Sequence, residues 1–529
     1  MKSMEFKLSK TQKTIILSIF LLIFAFPVFY KLDKIPLLRW DESLYANCAF
    51  ELAYHGKSMD QWDNYFFSGK PNFVTKPPLV IWIQAGLMKI LGYDSKLALR
   101  LHSALAAIFT VMLLIYFTRT EFNSIFLGLF SGLVLITTNG YLFFHIARSG
   151  DMDGLLIFFT TLMILFYFKY LKYFDDKKKR NKNIAIVTIA LIGGVLTKTS
   201  AAFFFVPGLL IYTIYKKRFI NMLRLRSTYV AIAAFIIVIG GYYAIKELIT
   251  PGNLHHLWEH DLAGRFFTTI HWASHPFYFY IKYIFTSAHT PWIFFVPLSI
   301  LLFFLIKNKD IKEFFVFSFI CIVIYLLIIS SAHTKITWYM AQIYPLFAII
   351  VGLSIFYMFT ELYKIINRDN FLVKFSFLFL FTIAVFFNTY YDRIQEIQVF
   401  VDTDKVHMGE TYDIYEDCLA EMRDSEKGIK TFTVFHEIRD SLLSWNPQLL
   451  FYQKVYNNIY GFNIDISNDP KVFNQGDVVL SNKNSTNLVL GRYYDYDIIE
   501  SCRDSEFIKI TGRKNDGEES EPDIGKNLN

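Results

Sequence analysis

Apolar residues fall in long unbroken stretches along this chain, and charged residues gather in short runs between them. A bilayer core about 30 Å thick takes about 20 apolar residues as helix. By that measure the pattern predicts roughly eleven spans. They lie near residues 14–31, 98–118, 123–145, 154–173, 184–197, 201–215, 228–247, 285–306, 313–331, 340–360 and 371–389. The fifth and sixth are short and meet at "LTKTS" (196–200), which predicts a broken or kinked pair. Residues 78–92 are apolar but short for a crossing, and read as an interfacial or re-entrant helix or one further span. Beyond residue 390 the pattern changes to polar stretches with alternation, such as "KTFTVF", "DVVLS" and "EFIKITG", the mark of strands in a small mixed α/β domain.

The expected fold class is therefore a polytopic α-helical membrane protein of about 11–13 transmembrane helices with a C-terminal soluble mixed α/β domain. The boundaries drawn from the sequence are 1–390 for the membrane domain, whose loop 32–97 carries interfacial helices, and 391–512 for the α/β domain. Residues 513–529 have a disordered composition.

Composition sharpens this picture. Of 529 residues 54% are hydrophobic and only 19% charged, too little charge for a soluble protein of this size. The net charge of +7 sits in loops and reads as topology, and no nucleic-acid motif accompanies it. The first span follows Lys7, Lys10 and Lys13, and the bulky "FPVFYKLDKIPLLRW" after it lacks a small-residue cleavage site. It reads as a retained anchor and not as a signal peptide. Lysine and arginine recur in the N-terminal tail, at Arg119, in 172–183, in 216–226, in 307–313 and around 364–374. Eleven spans in order put all of these on one face, the cytoplasmic one. The opposite face receives the loops 32–97, 145–154, 196–200, 248–284 and 331–340, and the C-terminal region. Four cysteines are too few for a disulfide scaffold. Cys321 lies in a span, whereas Cys418 and Cys502 share the polar region and would bridge only in an oxidising compartment.

Candidate chemistry collects on that outer face. "WDESLY" opens a helix that places Asp41 and Glu42 in its first turn, with Leu44, Tyr45, Cys48, Ala49, Leu52 and Ala53 at helical spacing and Gly56 as its stop. It reads as an amphipathic helix on the membrane surface. Both carboxylates also suit a helix N-terminus for electrostatic reasons alone. "TKPP" fixes Lys76 at a rigid approach to the next helix; such a lysine is a snorkelling anchor or a point charge for phosphate. "ARSGDMDG" carries Arg148, Asp151 and Asp153, and Asp153 alone reads first as a helix cap. Lys198, between two apolar runs, needs an anion or an interfacial position. The histidines His255, His256, His260, His271 and His275 invite a metal reading, although their spacing matches no closed zinc motif. "SAHTKITWYM" offers Lys335 and Tyr339, which would share one helix face if the helix begins there, and Trp338 suits an aromatic belt. Carboxylates, phosphate-capable cations and aromatics at headgroup level suit an enzyme that handles an amphiphilic phosphate.

The ordered motifs "WDESLY", "TKPPLVIW", "ALRLHSALAA", "ARSGDMD", "LTKTS", "GRFF…HPFYFYI…PWIFFVP" and "HTKITWYMAQIYP" resemble those of the protein mannosyltransferase and aminoarabinose transferase group of C-type glycosyltransferases. The resemblance covers roughly residues 10–390. It implies the C-type glycosyltransferase fold and a polyprenyl-phosphate sugar donor such as an undecaprenyl phosphate. Asp41 matches the group's acidic residue of the first outer loop, the catalytic base or acceptor-orienting group, and Tyr45 the tyrosine one turn on. Lys76, Arg265 and Tyr339 match phosphate ligands, and either Asp151 or Asp153 matches the second acidic position. His260 stands as a metal-site candidate, so a divalent metal ion is the cofactor to be considered. Thr75 and Leu44 replace the glutamate and arginine of the aminoarabinose branch, which counts against that sugar and against a glutamate-held metal.

The reading is an integral membrane glycosyltransferase that moves a monosaccharide to a lipid, glycan or protein acceptor on the extracytoplasmic face of a bacterial inner membrane. Asp41, Asp151 and Asp153 are its candidate catalytic residues. Glu42, Tyr45, Lys76, Arg148, Lys198, Arg265, Lys335 and Tyr339 are its candidate substrate ligands. A transporter, flippase or ligase of lipid-linked saccharides is the alternative. Polar motifs collected on one face favour the enzyme, because a transport pathway needs charge within spans on both sides.

Overall fold

In the computed structural model the apolar stretches are helices. It describes residues 9–38, 41–56, 76–142, 145–259, 266–267, 273–288, 290–366, 370–403, 415–425, 428–436, 446–502 and 504–514. Two compact units emerge: residues 1–35 with 51–405, and residues 36–50 with 406–529.

The first unit is the helical one. Its helices are α1 (Lys10–Phe29), the end of α2 (Asp41–Tyr54), α3 (Leu79–Leu91), α4 (Lys96–Glu121), α5 (Ile125–Thr137), α6 (Asp153–Lys172), α7 (Lys177–Lys198) and α8 (Val206–Tyr215). Then come α9 (Arg226–Ile249), a pair bent by 99° made of α10 (Phe279–Ser287) and α11 (Trp292–Leu305), α12 (Lys309–Ser331), α13 (Thr337–Ile366) and α14 (Phe371–Thr403). Among the described residues eight helices are long and apolar enough to cross a bilayer, and the bent pair makes a ninth. The shorter α5 and α8 lie at two further expected spans, so each of the expected spans has a helical counterpart.

The expected span 123–145 does not run as one helix. Ser124 caps α5 by accepting the Leu127 N–H. At the other end the Thr137 and Thr138 hydroxyls donate back to the Leu133 and Val134 carbonyls, and the backbone turns extended at Thr138. Such back-bonding loosens a helix end. Thirteen residues give only about 20 Å. The short helix is tolerated because Phe126–Thr137 are all buried among neighbours, so no unpaired backbone meets lipid. Gly352 of α13 lies against Ser131 with no room for a Cβ, the close approach that small residues give membrane helices.

Pro27 interrupts α1 and has no N–H for the Ile23 carbonyl. Tyr390 of α14 donates its hydroxyl to that carbonyl at 2.8 Å. Gln398 then accepts from Tyr30 and Lys31 at 3.1 and 2.8 Å. At the basic end of the bundle, Glu121 of α4 pairs with Lys169 and Lys172 of α6 at 2.9 and 3.0 Å, and Lys172 reaches Asp310 of α12 at 3.0 Å.

The second unit holds α15 (Glu416–Asp424), α16 (Pro447–Ile459) and five strands: β1 (Thr431–Phe435), β2 (Asn463–Ser467), β3 (Val478–Asn482), β4 (Tyr494–Ser501) and β5 (Ser505–Arg513). The sheet order is β2-β1-β3-β5-β4, with β1 parallel to β2 and β3, and β5 antiparallel to β3 and β4. The three stretches expected as strands are β1, β3 and β5. Helix α16 is the crossover of a β1–α16–β2 unit, the connection a parallel pair needs. Cys418 and Cys502 form a disulfide.

Residues 36–50 cluster with this unit and not with the membrane helices. Asn47 donates to the Pro447 carbonyl at 2.8 Å, Gln448 donates to the Leu37 carbonyl, and Phe50 meets Phe451 edge-on at 6.4 Å. The residues Glu42 to Phe50 are all buried, with no exposed polar face along this stretch, and α2 packs in part on α16 through these contacts.

Candidate active site

The segment 145–152 enters α6, and polar side chains from α3 and α4 fix its path. Gln84 donates to the Leu99 and Gly150 carbonyls at 2.9 and 2.8 Å. The Asp151 carbonyl lies 2.9 Å from His102 Nε2 and accepts from Ser103 Oγ at 3.1 Å. At Gly154 a Cβ would strike the Ile146 carbonyl, so the first turn of α6 nests against this segment.

Two acid-base pairs follow from that path. His145 sits at a positive φ of 59°, uncommon for a residue with a side chain. Its Nδ1 lies 2.9 Å from Asp151 Oδ2, both side chains are buried, and its ring stacks on Trp338 at 3.8 Å. Two residues on, both oxygens of Asp153 accept from Lys198 Nζ, at 2.8 and 2.6 Å. The same ammonium lies 5.5 Å from the centre of the Tyr339 ring, a cation–π distance. Asp151, Asp153, Lys198 and Tyr339 thus gather at one end of the helical unit.

Lys335 belongs to the neighbouring loop. That loop pairs with 273–274 through a Ser274–Thr334 bridge, and the Lys335 N–H donates to the Ala273 carbonyl at 2.9 Å. The buried ammonium of Lys335 donates to the Ala332 carbonyl at 2.6 Å. Burial pushes its pKa below the ordinary lysine value. Tyr280 clasps the end of the loop, donating to the Ile336 carbonyl and accepting the Ile336 N–H, both at 3.1 Å.

Several sequence readings need correction. Asp153 does not cap α6; it makes no capping hydrogen bond and pairs with Lys198 instead. Lys335 and Tyr339 do not share a helix face, since the 3-10 turn begins at Thr337. Trp338 stacks on His145. Arg148 is committed to structure: its guanidinium donates to the carbonyls of Pro27, Val28 and Tyr30 at 2.7, 2.9 and 2.7 Å. These are the orphan acceptors at the end of α1. Burial, with Arg100 nearby, pushes its pKa down to about 9, so it remains a cation at neutral pH. Glu42 is likewise committed, accepting the Leu38 N–H at 2.8 Å within the second unit.

Asp41 is half-buried in the first turn of α2 and Tyr45 is buried in the next. Lys76 is half-buried just before α3, behind the buried Pro77 and Pro78. Arg265 and His260 lie outside the described residues. For a cation, His145 and Asp151 offer an imidazole nitrogen and a carboxylate.

The sequence reading assigned no role to Gln84, His102, Ser103 or His145. The first three are polar residues inside otherwise apolar helices, where hydrogen bonding is required, and that is the signal that marks them.

A family model described as dolichyl-phosphate-mannose-protein mannosyltransferase matches residues 75–243. Among curated proteins none matches the chain by sequence. The fold is similar to that of ArnT from Cupriavidus metallidurans bound to undecaprenyl phosphate, with a TM-score of 0.67 at 12% identity over 94% of this chain and 98% of that one. The apo state of that protein gives 0.66 at 12% identity over the same shares. The apo oligosaccharyltransferase of Archaeoglobus fulgidus gives 0.52 at 12% identity, over 97% of this chain and 75% of that one. The chain has the fold of the C-type membrane glycosyltransferases, and the resemblance carried by its motifs is met again in the family match and in the fold.

Proposed function

We propose that this protein is a membrane glycosyltransferase that moves a monosaccharide from a polyprenyl phosphate to an acceptor on the extracytoplasmic face. The observation that carries the reading is the gathering of Asp151, Asp153, Lys198 and Tyr339 at one end of the helical unit. One cation held by a carboxylate over an aromatic ring, beside a second carboxylate, provides for a phosphate and for a hydroxyl. The likeness to ArnT, solved with undecaprenyl phosphate, supports that donor class.

In this reading the acceptor oxygen attacks the anomeric carbon. The carbon–oxygen bond to phosphate breaks, its electron pair leaves on the phosphate oxygen, and attack opposite the leaving group inverts the centre. Asp41 takes the acceptor proton as general base. Lys76, Lys198, Arg265, Lys335 and Tyr339 hold the phosphate and stabilise its growing charge. Asp153 holds Lys198, which leaves Asp151 as the acid that orients the acceptor. The bridge between Cys418 and Cys502 suits an oxidising compartment, and the basic runs suit the cytoplasm. Both support a multi-pass protein of a bacterial inner membrane with its site outside.

Purified protein mixed with labelled undecaprenyl-phosphate sugars should release undecaprenyl phosphate in step with glycosylated acceptor. A folded protein that only moves the intact donor across vesicles would overturn the reading in favour of a flippase.

A further inference from the structure

We infer that His145 is a positioning residue for Asp151, and that Trp338 couples this pair to the turn that carries Tyr339. The inference rests on the glycosyltransferase reading and adds a residue to it. Three observations converge. His145 keeps a left-handed backbone, φ 59°, where glycine or asparagine is the easier choice; strain of this kind persists where the surroundings over-determine it. That backbone sets its Nδ1 at 2.9 Å from Asp151 Oδ2, in a contact with both side chains buried. Its ring lies flat on Trp338, 3.8 Å between centres and 23° between planes.

His102 and Ser103 fix Asp151 through its backbone carbonyl, and the His145 ring lies against its buried carboxylate, Nδ1 to Oδ2 at 2.9 Å. A carboxylate whose backbone and neighbouring ring are both fixed is pre-positioned for the acceptor. Trp338 immediately precedes Tyr339, whose ring lies beneath Lys198. The stack thus joins the segment that bears the acid to the turn that bears the phosphate-side aromatic. The donor side and the acceptor side of the proposed site share one mechanical link, and His145 is its midpoint.

The test compares His145→Phe, His145→Asn and Asp151→Asn with wild type. Each is assayed with the labelled undecaprenyl-phosphate sugar that the wild type turns over fastest. Phenylalanine keeps the stack on Trp338 and loses the nitrogen; asparagine places an amide nitrogen near the Nδ1 position and loses the stack. His145→Phe should lower kcat about 100-fold with donor KM within about threefold of wild type, and with an unchanged unfolding midpoint in detergent. His145→Asn should recover at least about a tenth of wild-type kcat. A folded His145→Phe protein with wild-type kcat, while Asp151→Asn is inactive, overturns the inference and leaves the transferase reading standing. If Asp151→Asn is also fully active, the role given to Asp151 falls with it. A His145→Asn protein no better than His145→Phe makes the imidazole more than a positioning group and overturns the inference as stated.

Discussion

Lys198 donates to both carboxylate oxygens of Asp153, at 2.8 and 2.6 Å, from the last residue of α7 to the first of α6. The Asp153 side chain is 7% exposed and that of Lys198 24%. Removing one partner strands the other charge where water is scarce, which costs more than losing both. Lys198→Met should therefore lower unfolding stability in detergent by about 2 kcal/mol, less than for a fully buried pair because solvent reaches the ammonium. The double variant Asp153→Asn with Lys198→Met should recover most of that loss and remain inactive. A double variant no more stable than Lys198→Met would show that the two side chains do not act as a pair.

Lys335 gives a prediction with a pH sign. Its ammonium is buried, and burial holds its pKa below the ordinary 10.5. The folded protein thus carries a desolvation cost for the charged form. That cost is full below the depressed pKa. It fades as pH rises through the window up to 10.5, because there the folded protein has already released a proton that the unfolded chain still holds. Lys335→Met should raise the unfolding midpoint of the ligand-free protein near neutral pH, and the gain should shrink toward pH 10.5. Unfolding curves across that range check it. A gain that grows with pH would contradict the assigned cause. The same substitution should weaken donor binding, since a phosphate is the partner that would offset the cost.

The spans were legible because charge is costly in lipid, so hydropathy alone marks them. Strands β1, β3 and β5 were legible from their short runs of β-branched and aromatic residues, whereas β2 and β4 were not singled out. What escaped the sequence was pairing at a distance. The need of Lys198 for an anion follows from its apolar surroundings, but the anion stands 45 positions earlier in Asp153. The burial of α2 depends on contacts such as Asn47 with Pro447, 400 positions apart. Its pattern of apolar residues suits a membrane surface as well as a protein interior. The break at Thr138 turns on two hydroxyls bonding back one turn, which the run of apolar neighbours conceals.

The disulfide yields a compartment test. Cys48 and Cys321 are buried free thiols, whereas Cys418 and Cys502 are joined. Chain unfolded without reductant should therefore take up a thiol reagent at two cysteines, and at all four after reduction. Closing a loop across 84 positions restricts the unfolded chain by about 4.5 kcal/mol. Cys418→Ser should accordingly lower the stability of the C-terminal unit by a few kcal/mol, without moving the ion pair at Lys198. Four thiols reactive before reduction would remove the argument that this unit faces an oxidising compartment.

Arg148 decides between a ligand and a brace. Its guanidinium donates three hydrogen bonds to carbonyls of Pro27, Val28 and Tyr30, acceptors that no later turn of α1 can satisfy. Lysine keeps the charge but offers a point in place of a fork, so it cannot reach all three. Arg148→Gln should cost about 3 kcal/mol of stability and Arg148→Lys part of that. In both, activity per folded molecule and donor KM should stay near wild type. The measurement is kcat and KM at a temperature where each variant is fully folded, alongside its unfolding midpoint. If Arg148→Lys instead keeps its midpoint and raises donor KM tenfold or more, the guanidinium contributes to binding, and the brace at the end of α1 is not its main task.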